Sequence, residues 1–323
     1  MAFFDADKLP PLRGVIPIFV TPFELDGAVS FDQLEREIDF LYSAGVRWAG
    51  FGFGSEVARL DPDELAKVVR HAANYSSGRL AIIGNAELTS GRAGTAAVGR
   101  VAEAGAQVAL VRPSVSPETG PEAAFEAFAE VAEGGGLPII VQDAPQVTGV
   151  VLPAFILARL LTESAGVAAV KVEPTAPARK VSAVVEALGG RPGTIIGGSG
   201  GFDYVHELQR GSSGTMPGPA YPEPFQLAAA QLARGDRLHA LETHARVLPL
   251  VALGSRNMDT FLVVQKHILR RRGVLREPVL RAPFVPVGPE LVHEVDELLD
   301  DLQLLAFFDN CAMELRSLEA RDV

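Results

Sequence analysis

A repeated change of hydrophobic period constrains this chain more than anything else in it. Short runs rich in Val, Ile and Ala alternate eight times with longer stretches patterned as amphipathic helices. The runs are GVIPIFV (14–20), VRWAGFGF (46–53), LAIIGN (80–85), QVALVRP (107–113), PIIVQD (138–143), VAAVKVE (167–173), TIIGG (194–198) and SGTMPG (213–218). Near-continuous apolar strands separated by crossover helices predict a parallel sheet. Eight such units in roughly 220 residues predict an α/β fold, a closed (β/α)8 TIM barrel. An open doubly wound sheet is the rival, but the turn after the first run, TPFELDGAVS, has no GxGxxG phosphate loop. The barrel is assigned to 1–235. From 236 onward the alternation stops, and RLHALETHARVLPLVAL, NMDTFLVVQKHILRRRG and ELVHEVDELLDDLQLLAF predict a helical extension, 236–323, packed on the barrel.

Helix starts are marked locally. Ser30 is placed to cap SFDQLEREIDFLYSAG. Asp61, Pro62 and Glu64 form a capping-box spacing ahead of the second crossover helix.

Composition narrows the partners. With 40 Asp+Glu against 29 Lys+Arg the net charge is −11, which argues against nucleic acid or an anionic membrane. No apolar run is long enough to span a bilayer, and the opening MAFFDADKLPPLRG is acidic where a signal peptide is basic and then apolar. The single cysteine, Cys311, excludes an internal disulfide and fits a reducing compartment, so a cytoplasmic protein is expected. His71, His206, His239, His244, His267 and His293 form no HxxxH or HxxEH pattern. Neither a metal nor a cofactor is expected.

Lys171 ends the sixth run, where a barrel strand reaches the catalytic mouth. An amine held in an apolar mouth loses hydration of its charged form, and the neutral amine attacks a ketone to give a Schiff base. The plain reading is a structural lysine paired with Glu173. GFGSEVARL (52–60), with Gly54 and Ser55, forms a small backbone nest suited to a carboxylate. IIGGSGG (195–201) offers a second Gly-rich turn through Gly197 and Gly198. Two such turns facing one lysine predict a small 2-oxo acid as ligand.

Several segments together resemble the dihydrodipicolinate synthase/N-acetylneuraminate lyase family. GVIPIFVTPFELDGAVSFDQLEREIDFLYSAGV is similar to its opening, GFGSEVARLDPDE to its GTTGE turn, PIIVQDAPQVTGVVLP to its (I/L)YN.P..TG segment and VAAVKVE to its (I/V)KE strand. The resemblance runs over residues 12–235 in order and spacing. It implies class I aldolase or lyase chemistry on pyruvate or a related 2-oxo acid, commonly in a homotetramer, with Lys171 as the Schiff-base lysine. A tetramer or dimer is therefore expected. Met216 falls where the family has an apolar pocket residue.

Three positions depart from the pattern. The second family threonine falls on Gly54, the acid/base tyrosine on Gln142 and an arginine on Val147. Gln has no accessible pKa, so another group must serve as acid/base. Glu173, Asp143 and Tyr204 are the candidates. Asp143 neighbours Gln142, and strand alternation sends it to the opposite face unless a bulge re-aims it. The alternative to catalysis is a barrel that binds a keto acid as sensor or scaffold.

Overall fold

A computed structural model of the chain describes residues 9–113 and 120–320. The first eight residues of the acidic opening lie outside that range. Each of the eight apolar runs gives a strand, the third extending past its run: β1 Gly14–Val15, β2 Trp48–Gly50, β3 Ala81–Leu88, β4 Val108–Pro113, β5 Ile139–Asp143, β6 Val167–Val172, β7 Ile195–Gly197 and β8 Gly214–Thr215. All pairs are parallel, in the order β1-β8-β7-β6-β5-β4-β3-β2. The seam between β1 and β2 is closed by the Ile18–Gly50 bridge, where Phe19 N–H donates to the Gly50 carbonyl at 2.8 Å and Gly50 N–H to the Pro17 carbonyl at 2.9 Å.

Period two sorts the strand side chains. Ile16, Ile83, Leu110, Ile140, Ala169 and Ile196 fill the barrel interior, and their neighbours Ile82, Val111, Val141, Val170 and Ile195 pack outward under the helices. The predicted capping box on the helix Pro62–Ser76 is present: Asp61 accepts from Asp63 and Glu64 N–H, and Glu64 accepts from Asp61 N–H. Ser30 occupies its cap position but differs in detail. Its hydroxyl donates to Asp32 and accepts from Gln33, so it caps no helix N–H. Among the described residues, no helix is long and apolar enough to cross a membrane.

The last part of the chain is helical, and two of its helices, Leu248–Gly254 and Met258–Arg271, lie at the C-terminal mouth of the barrel. The attachment is ionic at its centre. Lys266, fully buried, donates to Glu56 and to the Thr21 carbonyl, and its ammonium lies 4.8 Å from the centroid of the Phe23 ring. Burial pulls the Lys266 amine below its ordinary value, against the opposing pull of Glu56. Removing one partner of such a pair strands the other charge in a dry site. Lys266→Met is therefore expected to destabilise the fold by about 3–5 kcal/mol. Urea denaturation tests this, and a loss below about 1 kcal/mol, the worth of an exposed pair, contradicts it.

Candidate active site

Alternation in β6 puts Ala169 and Lys171 on the inner face and carries Glu173, just past the strand, to the same side. Both side chains are buried, at 5% and 8% exposure, so solvent screens their interaction little. The Lys171 amine is 3.0 Å from Glu173 Oε2. That oxygen also accepts from the Gln142 amide at 2.7 Å, and Oε1 accepts from Ser199 N–H at 2.8 Å. Burial by itself pushes the Glu173 carboxyl up. The charge of Lys171 and the two donated hydrogen bonds outweigh it, holding the group below the ordinary carboxylate range. Glu173 is thus an ionised carboxylate anchored at three points, one of them the Lys171 amine.

Lys171 and Glu173 open into a cavity of about 610 Å³. Gly54, Ser199, Gly200 and Met216 share its wall. The turn after β2 forms a short 3-10 helix, Phe53–Ser55, whose geometry leaves the N–H groups of Phe53 and Gly54 without an internal acceptor. Gly54 has to lack a side chain, because a Cβ there would come within 2.8 Å of the Phe261 ring.

Other expected positions lie elsewhere. Ser55 is fully buried beneath its turn, where its hydroxyl donates to the Phe19 carbonyl and accepts from Gly52 N–H, so it is committed to holding the turn. Asp143 follows strand alternation outward. It pairs with Lys180 at 3.2 Å and accepts from Leu152 N–H, anchoring the segment after β5; the register shift in this ladder lies between Ile139 and Ile140, at the other end of the strand, and does not re-aim it. Burial raises its carboxyl above the usual value. Tyr204 is fully buried edge-on against Phe225, outside the cavity wall, and burial raises its phenol. Gln142 is inside the barrel behind Glu173 and outside the cavity lining. Gly197 and Gly198 serve as clearances rather than wall. A Cβ at Gly198 would lie 2.1 Å from Glu173 Oε1, and one at Gly197 would lie 1.9 Å from Glu207 Oε2 on the outer side.

Sequence reasoning missed four groups. Ser199, with positive φ, supplies the N–H that fixes Glu173. Glu87 and Arg112 pair across β3 and β4 and stand two residues beyond inward Asn85 and Leu110, so period two would have found them. The wall residues Leu250, Met258 and Phe261 come from the helices after 236 and carry no local signal.

Glu207 is the fourth. It is fully buried behind β7, and neither carboxylate oxygen has a hydrogen-bond partner among the described residues. Burial, then Asp203 and Glu173, push it up to about 8, against the pull of Lys171. A carboxyl with a raised folded value binds its proton more tightly when folded. Its contribution is complete below the ordinary value of 4.5 and is lost as pH rises through about 8. Wild-type stability should therefore fall by a few kcal/mol more than that of Glu207→Gln between pH 5 and pH 9, read by denaturation at both ends. Parallel pH profiles for the two proteins would contradict the assignment.

Among the described residues, no cluster of three or more His, Cys, Asp or Glu is placed to hold a metal ion.

The sequence model of the Dihydrodipicolinate synthetase family matches residues 11–302. L-2-keto-3-deoxyarabonate dehydratase of Azospirillum brasilense is 27% identical over 297 residues, covering 90% of this chain and 94% of its own. A 4-hydroxy-tetrahydrodipicolinate synthase of Methanothrix thermoacetophila is 28% identical over 291 residues, covering 89% and 96%. The crystal structure of dihydrodipicolinate synthase from Rhodopseudomonas palustris superposes with a TM-score of 0.82 at 25% identity, over 90% of this chain and 98% of that one. YagE, a prophage protein of E. coli K12 solved in complex with pyruvate, shares the fold with a TM-score of 0.83 at 21% identity, over 91% and 100%.

Proposed function

The chain belongs to the dihydrodipicolinate synthetase family and is an enzyme of the class I aldolase/lyase type; on that premise we propose that Lys171 forms a Schiff base with pyruvate or a related 2-oxo acid and that Glu173 moves the protons. The observation that carries this reading is the 3.0 Å contact between the Lys171 amine and Glu173 Oε2 inside the barrel mouth.

In this reading the substrate carboxylate sits against the Phe53 and Gly54 N–H groups, with Met216, Ser199 and Gly200 closing the near wall. Glu173 takes a proton from the Lys171 ammonium, and the free amine adds to C2. Glu173 returns that proton to the carbinolamine hydroxyl, which leaves as water and gives a protonated imine. C3 lies two bonds from the imine nitrogen, about 2.5 Å away, so a carboxylate touching that nitrogen also reaches the C3 proton. Its removal sends the C3–H electron pair toward nitrogen and forms an enamine. The enamine then expels a C4 hydroxyl, which takes the proton from Glu173 and departs as water. On an aldehyde it instead forms a carbon–carbon bond, and cleavage is that step reversed. Gln142, whose amide has no accessible pKa, positions Glu173 in place of acting as acid or base.

The A. brasilense relative named as a dehydratase supports the elimination branch, and the pyruvate held by the E. coli protein supports the 2-oxo acid. A cytoplasmic homo-oligomer, dimer or tetramer, completes the proposal; it rests on the acidic balance, the single buried Cys311 and the family.

Enamine formation exchanges the C3 protons of pyruvate with solvent, so incubation in D2O should deplete its methyl proton signal at a rate proportional to protein. No exchange from pyruvate or from a panel of 2-oxo acids, with the protein folded, contradicts the proposal. Gly198→Ala offers a sharper check. The added methyl would overlap Glu173 Oε1, whose three anchors resist displacement, so exchange should slow by about 10²-fold or more. An unchanged exchange rate would mean that the Glu173 carboxylate does not have to stay where it is.

A further inference from the structure

Resting on that imine reading, we infer that the enzyme takes 2-oxo acids whose C4 side carries an apolar group, an aryl or bulky alkyl substituent, in place of a polyhydroxylated chain. The cavity, about 610 Å³, is in the range of small-molecule pockets, and pyruvate fills only a corner of it. Beyond Lys171 the wall is built from Phe53, Val57, Val147, Leu250, Met258 and Phe261. Val147 and Met258 remain 52% and 39% exposed, apolar area that a bound hydrocarbon would remove from water.

Polar side chains do occur in the same wall, but most of them are engaged with protein partners. Glu56 accepts from Lys266 and Arg59. Arg59 also donates to Asp259 and to the Pro283 carbonyl. Gln265 accepts from Ala220 N–H and donates to the Tyr221 hydroxyl, and Asn257 caps its helix through Thr260 N–H. Gln146 and the exposed Arg256 stand at the rim. A hydroxylated chain laid along this wall gives up its water and meets carbon, an unfavourable exchange. A phenyl or branched alkyl group gains from the same contact. Val147 occupies the position where an arginine was expected, which removes a cation from the wall and extends its apolar face.

The test is saturable trapping of the imine. The wild-type protein is treated with borohydride over a concentration series of pyruvate, 4-phenyl-2-oxobutanoate and 4,5-dihydroxy-2-oxopentanoate, and the fraction of Lys171 modified is read by intact mass and peptide mapping. The phenyl compound should reach half-saturation at a concentration at least about 10-fold below that of pyruvate, and the dihydroxy compound should show no gain over pyruvate. If pyruvate is trapped but the phenyl compound gains less than that, or the dihydroxy compound saturates at the lower concentration, the inference is overturned while the imine reading stands. If none of the three is trapped, the imine reading falls and takes the inference with it.

Discussion

Lys171→Arg is expected to stop catalysis while leaving the fold intact. Arginine keeps a positive charge beside Glu173 and a stem of similar length, so the ion pair inside the barrel survives. The guanidinium does not deprotonate in proteins and cannot add to a ketone. An imine mechanism therefore predicts a fall in turnover of at least about 10³-fold, together with loss of pyruvate proton exchange. If Lys171 acted only as an electrostatic clamp, Lys171→Arg would retain a substantial part of the activity. The melting temperature provides the control, since a collapse of stability would explain lost activity without reference to chemistry.

Glu173→Gln is expected to separate imine formation from proton transfer. The amide keeps the shape of the carboxylate and can still accept from Ser199 N–H, but it has no basic lone pair comparable to the ionised carboxylate. Turnover and C3 exchange should fall by about 10²–10⁴-fold, the usual contribution of a positioned acid/base. The amine itself is retained, so borohydride trapping at high pyruvate should still reach Lys171 in time. Equal exchange rates in Glu173→Gln and wild type would assign the proton transfers to another group. Neither Asp143, held outside the wall by Lys180, nor Tyr204, packed on Phe225, reaches the cavity to take that place.

The barrel could be read in advance because its signals are local. Each strand announces itself by a β-branched run, each crossover by a helical period, and the Asp61–Glu64 box by four consecutive residues. The pairing of Lys171 with Glu173 was legible for the same reason: residues two apart on a strand share a face. The same rule fixed the fate of Asp143, one residue from Gln142 and therefore outside, and of Gly197, one residue from Gly198. Ser55 was misjudged because residue type does not say where a hydroxyl points. Its direction is set by the Phe19 carbonyl, 36 positions away in the chain. The outer wall was illegible altogether. Phe261 meets Gly54, and Lys266 meets Glu56, across some two hundred residues, contacts that only the assembled chain creates.

Glu207 shows how the site is also coupled to stability. A buried carboxyl with no hydrogen-bonding partner among the described residues costs folding free energy whenever it ionises. Its electrostatic coupling to Glu173 and Lys171 ties its protonation to the charge of that pair.

Borohydride reduction in the presence of pyruvate, followed by peptide mapping, tests the central claim most directly. The account predicts one reduced pyruvyl adduct per chain, located on Lys171, and its disappearance in Lys171→Arg. A folded wild-type protein that stays unmodified across the 2-oxo acid panel, or that carries its adduct on an exposed lysine such as Lys67, would contradict it.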